Sequence, residues 1–441
     1  MPPITPKTFR GTRDFLPEVM VARSDLIDRI RGTFELYGFS PLETPAIEYM
    51  ETLAGKYGDE GEKLLYKLAY KGGDVLALRY DLTIPLARVA AQNPNLPKPF
   101  KRYQIQPVWR ADRPQIKQGR FREFYQCDVD IVGSDSLAAD AEILAMTVET
   151  LTRLDIGPFT VRINHRELLA AIIRAAGIPD DALMTASRCL DKWDKIGAGG
   201  VRAEMENEGF DAAVIQRLLA SVDEDPKESS LARMGKLEST VRKFGGSEGL
   251  EKMKEIFQLL EALGVDEKRI AFWPSLARGL DYYTGPIFET FHDDLPHMGS
   301  LTGGGRYDNL IGIFLGEQIP ATGTTIGIDR ILAALQQTNR LQMAPSKTQV
   351  FVAVFDEDSM RSACRLAGLV RRQGFRTEIA YGAQKLKRQF ARADRQGIPV
   401  VLIQGPDEQK EKVVSVKRLE SGDQVKIAEI DLVKYLKEIL E

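Results

Sequence analysis

The chain has 441 residues and a mass of 49.3 kDa, a length typical of two to four domains. Hydrophobic residues make up 43% and charged residues 28% of it, which excludes a fibrous or broadly disordered protein. Lys plus Arg number 60 and Asp plus Glu number 63, so the net charge is −3. A charge so close to zero neither indicates nor excludes a polyanionic partner.

The cysteines and the N-terminus indicate the compartment. Cys127, Cys189 and Cys364 lie far apart and form no CxxC pair, so the sequence indicates neither a disulfide framework nor a cysteine zinc site. The three histidines are scattered, which gives no sign of a histidine metal site. The first residues contain no continuous apolar segment, and no run of 18 apolar residues occurs. We therefore expect a cytoplasmic protein without membrane spans.

The first third of the chain alternates helical and extended patterns. Apolar residues recur every fourth position from Ala22 to Phe34, which predicts an amphipathic helix over 18–36 that ends at Gly38. Pro41 and Pro45 then favour an extended segment. Further patterns predict strands at 75–80, 101–109, 124–132 and 159–163, and a helix at 136–154.

The middle of the chain changes character. From 165 to 262 the residues Ala, Leu, Glu, Lys and Arg dominate with helical apolar spacing, which predicts an inserted helical subdomain. Strand-like, glycine-rich sequence resumes at Pro274 and continues to a predicted helix at 328–337. The first fold is thus interrupted and then completed.

The C-terminal region follows a linker near residue 341. The segments VFVAVF, RTEIA, PVVLI and KVVSVK alternate with helical stretches, which predicts an α/β layer with a largely parallel sheet. Residues 347–441 carry 18 Lys plus Arg against 14 Asp plus Glu, a net charge of +4, and the remainder carries −7. Two interpretations of its most basic helix stay open, a solvated face or a contact with a phosphate backbone; its cations are Lys385, Lys387, Arg388, Arg392 and Arg395.

The densest chemical signal lies at 100–133, where two predicted strands flank a loop. Four arginines occur there within 13 residues, and their guanidinium groups repel one another unless an anion spans them. An exposed hairpin paired with Asp112 and Glu123 is the alternative. Neither GxxxxGK[ST] nor GxGxxG following a strand occurs, so arginines rather than a glycine-rich loop would bind phosphate. The four are Arg110, Arg113, Arg120 and Arg122.

A second cluster follows the helical region. SLARGLDYYTGPIFET brings Arg278, Asp281, Tyr282 and Tyr283 within six residues, and LTGGGRYDNL follows shortly after. Adjacent tyrosines on a strand would face opposite sides, so one could enter a pocket while the other packs. The glycine triplet alone is more often a bend or bulge than a ligand wall.

At these residues the sequence resembles the class II aminoacyl-tRNA synthetases, and within them the histidyl-tRNA synthetase family. The junction at 38–45 is similar to the first class motif, WRADRPQIKQGRFREFYQ to the second, and ATGTTIGIDRI to the third. ARGLDYYTG and GGGRYD resemble the two histidine-specific peptides, and ALRYDLTIPLAR the amino-acid-binding segment. The agreement of separated segments in order makes the resemblance specific and extends it over nearly the whole chain.

The resemblance implies an ATP site. Arg110 would contact the α-phosphate, Arg120 and Arg330 would hold the β- and γ-phosphates, and Phe124 would stack on adenine. Arg278 stands at the family's catalytic arginine position, beside the α-phosphate and the substrate carboxylate. Several fixed cations suit a tetra-anionic ligand, and an already ionised carboxylate needs no general base.

The resemblance also implies a histidine site. Asp81 and Thr83, with Leu82 between them, would hold the α-ammonium, and Gln126 would lie on the carboxylate side. Asp130 and Tyr283 would bind the imidazole, which offers one donor and one acceptor. Tyr282, Arg110 and Arg278 would complete the pocket.

The implied protein is a homodimeric histidine–tRNA ligase that uses ATP with Mg²⁺, L-histidine and tRNA(His), with Lys385, Lys387, Arg388 and Arg392 as tRNA contacts. Its expected fold is α+β: an antiparallel-sheet catalytic domain with a helical insertion, and a C-terminal α/β anticodon-binding domain. We expect domains at 1–164, 165–262, 263–340 and 346–441. The rivals are a regulatory, non-ligating paralogue that binds histidine in control of histidine biosynthesis, and a class II ligase for another amino acid.

Overall fold

The protein is represented by a computed structural model that describes residues 4–55, 61–223, 228–278 and 282–440. The chain forms two compact units, Met1–Arg13 with Leu26–Leu341 and Asp14–Asp25 with Gln342–Glu441. The helices before residue 341 are α1 (Pro17–Leu36), α2 (Met50–Leu53), α3 (Thr83–Gln92), α4 (Leu137–Arg153), α5 (Arg166–Ala175), α6 (Leu183–Leu190), α7 (Trp193–Asn207), α8 (Ala212–Val222), α9 (Ser230–Lys243), α10 (Ser247–Ala262), α11 (Gly312–Leu315) and α12 (Ile328–Gln337).

An eight-stranded sheet organises the first unit. Its order is β1-β5-β6-β11-β10-β9-β7-β8; the β1/β5 and β7/β8 pairs are parallel and the inner pairs antiparallel. A small antiparallel sheet has the order β2-β4-β3. The strands are β1 (Ser40–Pro41), β2 (Ile47–Tyr49), β3 (Lys67–Leu68), β4 (Leu76–Leu78), β5 (Phe100–Trp109), β6 (Glu123–Val132), β7 (Phe159–His165), β8 (Ile270–Phe272), β9 (Pro286–His292), β10 (Thr302–Arg306) and β11 (Ala321–Ile326).

The predicted amphipathic helix is confirmed as α1. The stripe from Ala22 through Ile30 to Phe34 is buried, and the Phe34 ring lies 5.7 Å from that of Tyr103 on β5. The chain leaves the helix through Gly38, whose φ of 78° favours glycine. The strand that follows is short, because Pro41 lacks the N–H needed to continue pairing.

The helical region runs from α5 to α10 and lies between β7 and β8. Side-chain caps begin several of these helices: Asp211 accepts from the Ala213 N–H at 2.8 Å and Ser229 from the Ala232 N–H at 3.3 Å. The strands β7 and β8, which precede and follow the helical region in the chain, pair in register from Val161/Ile270 to Ile163/Phe272. The helical region is therefore an insertion between two neighbouring strands of the same sheet.

The glycine triplet is neither a bend nor a bulge. Residues 303–305 form the middle of β10, a central strand in unbroken register with β9 and β11. A Cβ on Gly304 would lie 2.2 Å from the Gly323 carbonyl oxygen, so side chains are excluded by close backbone approach. The triplet thus lets neighbouring strands and side chains crowd against β10.

The second unit contains a mixed five-stranded sheet, which corrects the prediction of a largely parallel one. In the order β13-β12-β14-β15-β16, only the first three strands are parallel. The last strand was missed because Gln424–Ala428 is mostly exposed and lacks an apolar run. The elements are β12 (Val350–Ala353), α13 (Met360–Arg372), β13 (Thr377–Ile379), α14 (Leu386–Arg395), β14 (Val400–Ile403), α15 (Pro406–Glu411), β15 (Val413–Arg418), β16 (Gln424–Ala428) and α16 (Leu432–Leu440).

None of the helices in the described ranges combines the length and the apolar character needed to cross a membrane.

Candidate active site

A cavity of about 470 Å³ opens on the eight-stranded sheet. Residues from both central and edge segments of the first unit reach it, although they are far apart in the chain. Leu82 is fully buried, and its carbonyl lies 3.4 Å from an Arg102 nitrogen that donates to it. The other residues predicted for ATP or histidine all line the cavity: Asp81, Thr83, Arg110, Arg120, Phe124, Gln126, Asp130, Arg278, Tyr282, Tyr283 and Arg330.

The cavity floor is a polar face of the sheet. Alternation along β6 places Gln126, Asp128 and Asp130 on one side, and all three line the cavity. Arg102 on β5 stands opposite Asp130 and forms an ion pair with it at 2.7 Å. The Tyr307 hydroxyl donates to the other oxygen of Asp130. Asp130 is therefore hydrogen-bonded on Oδ1 and ion-paired on Oδ2, and among the described residues Oδ2 has no hydrogen-bond partner.

Asp128 was missed in the sequence analysis. The signal was available, because a carboxylate between Gln126 and Asp130 at the same period must face the same side of the strand. Burial raises the pKa of Asp128 to about 7; Arg102 lowers it and Asp130 raises it. Its Oδ1 has no hydrogen-bond partner among the described residues.

Asp81 and Gln126 are oriented by backbone and side-chain contacts. The Asp81 Oδ1 accepts from the Ile84 N–H at 3.0 Å at the start of α3, where Thr83 is the first helical residue. The Gln126 amide donates to the Thr325 hydroxyl at 3.1 Å. These contacts leave fixed polar atoms at the cavity wall.

Arg110, Arg120 and Arg330 converge on the cavity. The Arg110 Nε donates to the Tyr80 carbonyl at 3.1 Å, and its guanidinium carbon lies 4.2 Å from the Tyr80 ring and 5.1 Å from the Phe124 ring. Arg330 donates to the Ser300 carbonyl. Within the described ranges, no carboxylate forms an ion pair with any of the three.

Burial and neighbouring cations lower the pKa values of two of these arginines, Arg120 and Arg330. Burial, Arg120 and Arg278 together lower the pKa of Arg330 to about 9. Burial and the neighbouring Arg278 also lower the pKa of Arg120. The part of each pKa shift that neighbouring arginines cause indicates an electropositive cavity, which favours an anion.

A glycine allows two of these arginines to meet. Gly119, just before Arg120, has a φ of 68°, and a Cβ there would lie 2.8 Å from the Asp329 carbonyl oxygen and 2.9 Å from the Arg330 Cα. The loop between β5 and β6 therefore touches the start of α12 only because no side chain intervenes.

The other two arginines of the loop do not reach the cavity. Arg122 donates to the Asp112 carbonyl at 3.0 Å and to the Arg10 carbonyl at 3.1 Å, and Arg113 is exposed. The alternative interpretation was that the arginines of the loop pair with Asp112 and Glu123. Instead, Asp112 accepts from the Arg113 backbone N–H at 2.6 Å, and Glu123 accepts from the Trp109 indole at 3.1 Å.

Arg278 differs from the other arginines because it is paired. Its Nε lies 2.9 Å from Oε1 of Glu289 and 3.5 Å from Oδ1 of Asp191. Glu289 raises the pKa of Arg278, and burial raises that of Glu289. Glu289 was also missed; its signal is a carboxylate flanked by Phe288 and Thr290 within the strand-like segment PIFETFH, which forms the fully buried β9.

The tyrosine prediction was wrong in its geometry. Tyr282 and Tyr283 precede β9 instead of lying in a strand, and their rings lie side by side with centroids 4.3 Å apart. Both line the cavity, and burial raises the pKa of Tyr282 to about 12. Asp281, grouped with them in the sequence, lies outside the described residues.

Among the residues that the structure describes, no group of three or more His, Cys, Asp or Glu side chains is arranged to hold a metal ion.

Comparison with known proteins gives consistent results along the chain. The sequence model of the histidyl-tRNA synthetase family matches residues 11–331, and that of an anticodon-binding domain matches residues 349–439. A histidine–tRNA ligase of Aeropyrum pernix is 42% identical over 99% of this chain and 98% of its own. A cytoplasmic histidine–tRNA ligase of Dictyostelium discoideum is 38% identical over 98% and 91%. The crystal structure of histidyl-tRNA synthetase from Nostoc sp. PCC 7120 has a TM-score of 0.89 and 33% identity, covering 99% of this chain and 100% of that one.

The raised pKa of Asp128 predicts a pH-dependent cost of burying it. Between its unfolded pKa of 3.8 and its folded pKa of about 7, the unfolded state releases the proton first, so this contribution to stability falls as the pH rises and is constant above that window. From pH 5 to pH 8, Asp128→Asn should therefore gain about 3 kcal/mol of unfolding free energy relative to wild type.

Urea unfolding followed by tryptophan fluorescence measures this gain. Trp109, Trp193 and Trp273 all lie in the first unit, so the signal reports its unfolding alone. Asp135→Asn, which removes an exposed carboxylate at the end of the same hairpin, should show no such pH-dependent gain. Equal gains in both variants would contradict the assignment.

Proposed function

Because the chain belongs to the histidyl-tRNA synthetase family, we propose that the cavity joins L-histidine to ATP and then passes the histidine to tRNA(His). The chain is a histidine–tRNA ligase, a class II aminoacyl-tRNA synthetase with ATP as substrate. The observation that carries the proposal for this cavity is the convergence of Arg110, Arg120 and Arg330, which have no carboxylate partners in the described ranges.

The arginines are proposed to hold the triphosphate. Arg110 contacts the α-phosphate, Arg120 and Arg330 hold the β- and γ-phosphates, and Phe124 stacks on adenine. The pKa values of Arg120 and Arg330 are lowered by burial and by neighbouring arginines. A bound anion would relieve the repulsion from those arginines, which supports this assignment. Mg²⁺ enters with ATP as part of the substrate, held on phosphate oxygens.

Activation then needs alignment more than proton transfer. The histidine carboxylate, ionised at pH 7, attacks the α-phosphorus; the bond to the bridging oxygen breaks, and pyrophosphate leaves with the electron pair. Arg278 stabilises the charge that develops on the phosphorus centre, and Arg110 assists it. In the second step the adenylate transfers histidine to the 3′-terminal ribose of tRNA, releasing AMP.

The histidine itself is proposed to lie on the floor of the cavity. Asp81 and Thr83 bind the α-ammonium, with Leu82 as the buried residue between them, and Gln126 lies on the carboxylate side. Tyr283 and Asp130 recognise the imidazole, with Tyr282 packed beside them. Because Arg102 and Tyr307 already bind Asp130, the imidazole would share that carboxylate with them, and the neighbouring Asp128 is a further polar group within the pocket.

The regulatory paralogue is not favoured. Relatives at about 40% identity over nearly the full length are named as ligases, and the cavity retains Arg110, Arg278 and Arg330. The exchange of pyrophosphate into ATP, assayed with each of the twenty amino acids in turn, tests the function. Only histidine should support the exchange. Exchange with another amino acid would contradict the specificity, and no exchange at all would favour the regulator.

The second unit is proposed to bind tRNA. Lys385, Lys387, Arg388 and Arg392 are exposed on or beside α14, while the buried Gln389 fixes that helix to β12 through the Val354 backbone. Phe355 and Tyr381 follow the neighbouring parallel strands β12 and β13 and are 48% and 84% exposed. Exposed rings beside cations suit stacked bases and a phosphate backbone.

A homodimer is proposed through the region of the first motif. β1 is the edge strand of the large sheet and both its residues are exposed, so it can pair with another chain. Ile47 and Tyr49 on β2 and Val75 beside β4 expose an apolar face nearby, each about half or more accessible.

We also propose the cytoplasm as compartment. The proposed domains are catalytic parts at 1–164 and 263–340, an insertion at 165–262 and an anticodon-binding domain at 346–441.

Arg278→Ala should lower the rate of histidyl-adenylate formation by about 10² to 10³ while the unit stays folded, since one transition-state contact is lost. Pyrophosphate exchange measures the rate, and tryptophan fluorescence checks the fold. Arg113→Ala, which removes an exposed cation of the β5–β6 loop outside the cavity, serves as the control. Turnover close to wild type in Arg278→Ala would remove the proposed role.

Replacing Lys387 and Arg388 together by Ala should weaken tRNA binding about tenfold and reduce the salt dependence of the affinity by about one to two units of slope, because two phosphate contacts are lost. Pyrophosphate exchange, which needs no tRNA, should be unchanged. The matched control replaces Lys434 and Lys437, two exposed cations of α16. Equal weakening by both pairs would indicate only a general charge effect.

The double substitution Ile47→Lys and Tyr49→Lys should convert the protein to monomers, because buried unpaired charges oppose association through an apolar face. Sedimentation velocity measures the change. Ile430→Lys, at a 91% exposed position in the second unit, should leave the dimer intact. A monomeric wild-type protein would rule out the dimer.

A further inference from the structure

The segment 191–195, called the turn below, joins the end of α6 to the first residues of α7 and reaches the cavity from the helical region. Residues 191–195 read DKWDK. Lys195 lines the catalytic cavity, and Asp191, Trp193 and Asp194 line a neighbouring cavity of about 500 Å³. Arg278 and Glu289 line both cavities, so this pair stands between them.

Asp191 makes the closest contact between this turn and the proposed catalytic arginine. Its Oδ1 lies 3.5 Å from the Arg278 Nε, on which Glu289 also closes at 2.9 Å. That oxygen is buried and has no hydrogen-bond partner among the described residues. Among the described residues its charge partner is Arg278, and because no hydrogen bond joins the two groups, the contact is electrostatic.

The position of Asp191 in its helix makes a nearby cation favourable. Asp191 is the C-cap of α6, where the helix dipole and the unsatisfied carbonyls disfavour a negative charge. A nearby cation offsets this cost, and Arg278 is such a cation, with its Nε 3.5 Å from the buried Oδ1. A solvated C-cap carboxylate, the ordinary alternative, would not bury an oxygen against a guanidinium.

A second carboxylate anchors the turn to the sheet. Asp194 accepts from the Arg162 Nη1 at 2.7 Å. The Arg162 guanidinium lies against the rings of Trp273 and Phe291, with its carbon 4.0 and 4.2 Å from their centroids. Since Arg162 belongs to β7, the turn is fixed to the same sheet that carries Glu289 on β9. Asp191 is thus held in place on a rigid support.

We propose that Asp191 is a positioning residue for Arg278: with Glu289 it fixes Nε, so that the helical insertion sets the direction in which the arginine meets the α-phosphate. The inference rests on the proposed function. It makes the insertion part of the activation step, in which no tRNA takes part. A misdirected arginine lowers the rate of the chemical step more than it lowers binding, because alignment is what is lost.

The experiment measures histidine-dependent pyrophosphate exchange in the full chain. Asp191→Asn should lower kcat by about tenfold to a hundredfold while changing the KM for ATP by less than about threefold. Asp191→Glu, which keeps the charge, should recover most of the rate. Asp181→Asn, which removes an exposed carboxylate of the same helical region, should behave as wild type.

A double-mutant cycle separates positioning from a general structural effect. In an Arg278→Ala background, Asp191→Asn should change the residual rate by less than about twofold, because the residue it positions is gone. An equal loss in both backgrounds, or an unchanged kcat in the single variant, would overturn the inference. Failure of the wild type to exchange histidine would instead overturn the proposed function and the inference with it.

Discussion

Repulsion between guanidinium groups is the constraint on which the first unit depends. Arg110, Arg120 and Arg330 face one cavity without carboxylate partners in the described ranges, and folding must hold them there against their mutual repulsion. Backbone carbonyls do this for Arg110 and Arg330, which donate to Tyr80 and Ser300. The result is a set of mutually repelling cations held at one cavity, which suits the proposed binding of a nucleotide and its alignment for reaction.

Buried carboxylates offset the charge of two other arginines in and beneath the cavity. Glu289 neutralises Arg278, and Asp130 neutralises Arg102 beneath the cavity, so the positive potential is concentrated where phosphate would lie. Asp128, whose pKa burial raises to about 7, adds no full charge next to them below neutral pH. Strong electrostatics in a site of this kind requires a balance of charges held by sheet and helix ends, since unpaired buried ions are expensive.

Much of the architecture followed from local patterns. The stripe of α1, the strands β5 and β6 and the helical run after His165 all form where periodicity predicted them, because amphipathic spacing reports which face meets a core. The mixed sheet of the second unit did not follow, since the edge strand β16 is exposed and has no apolar run. The prediction that Tyr282 and Tyr283 face opposite sides of a strand was wrong, because both residues precede the strand.

The sequence alone determined the motifs, the family and the longer amphipathic elements, because helix and strand periods and motif spacing are local properties of the chain. Only the tertiary structure decided that Arg120 and Arg330 reach the cavity while Arg113 and Arg122 do not, that Glu289 and Asp191 close on Arg278, and that Gly119 must lack a side chain. Those facts depend on contacts between segments far apart in the chain, and no local pattern specifies which side chains will meet across a folded sheet.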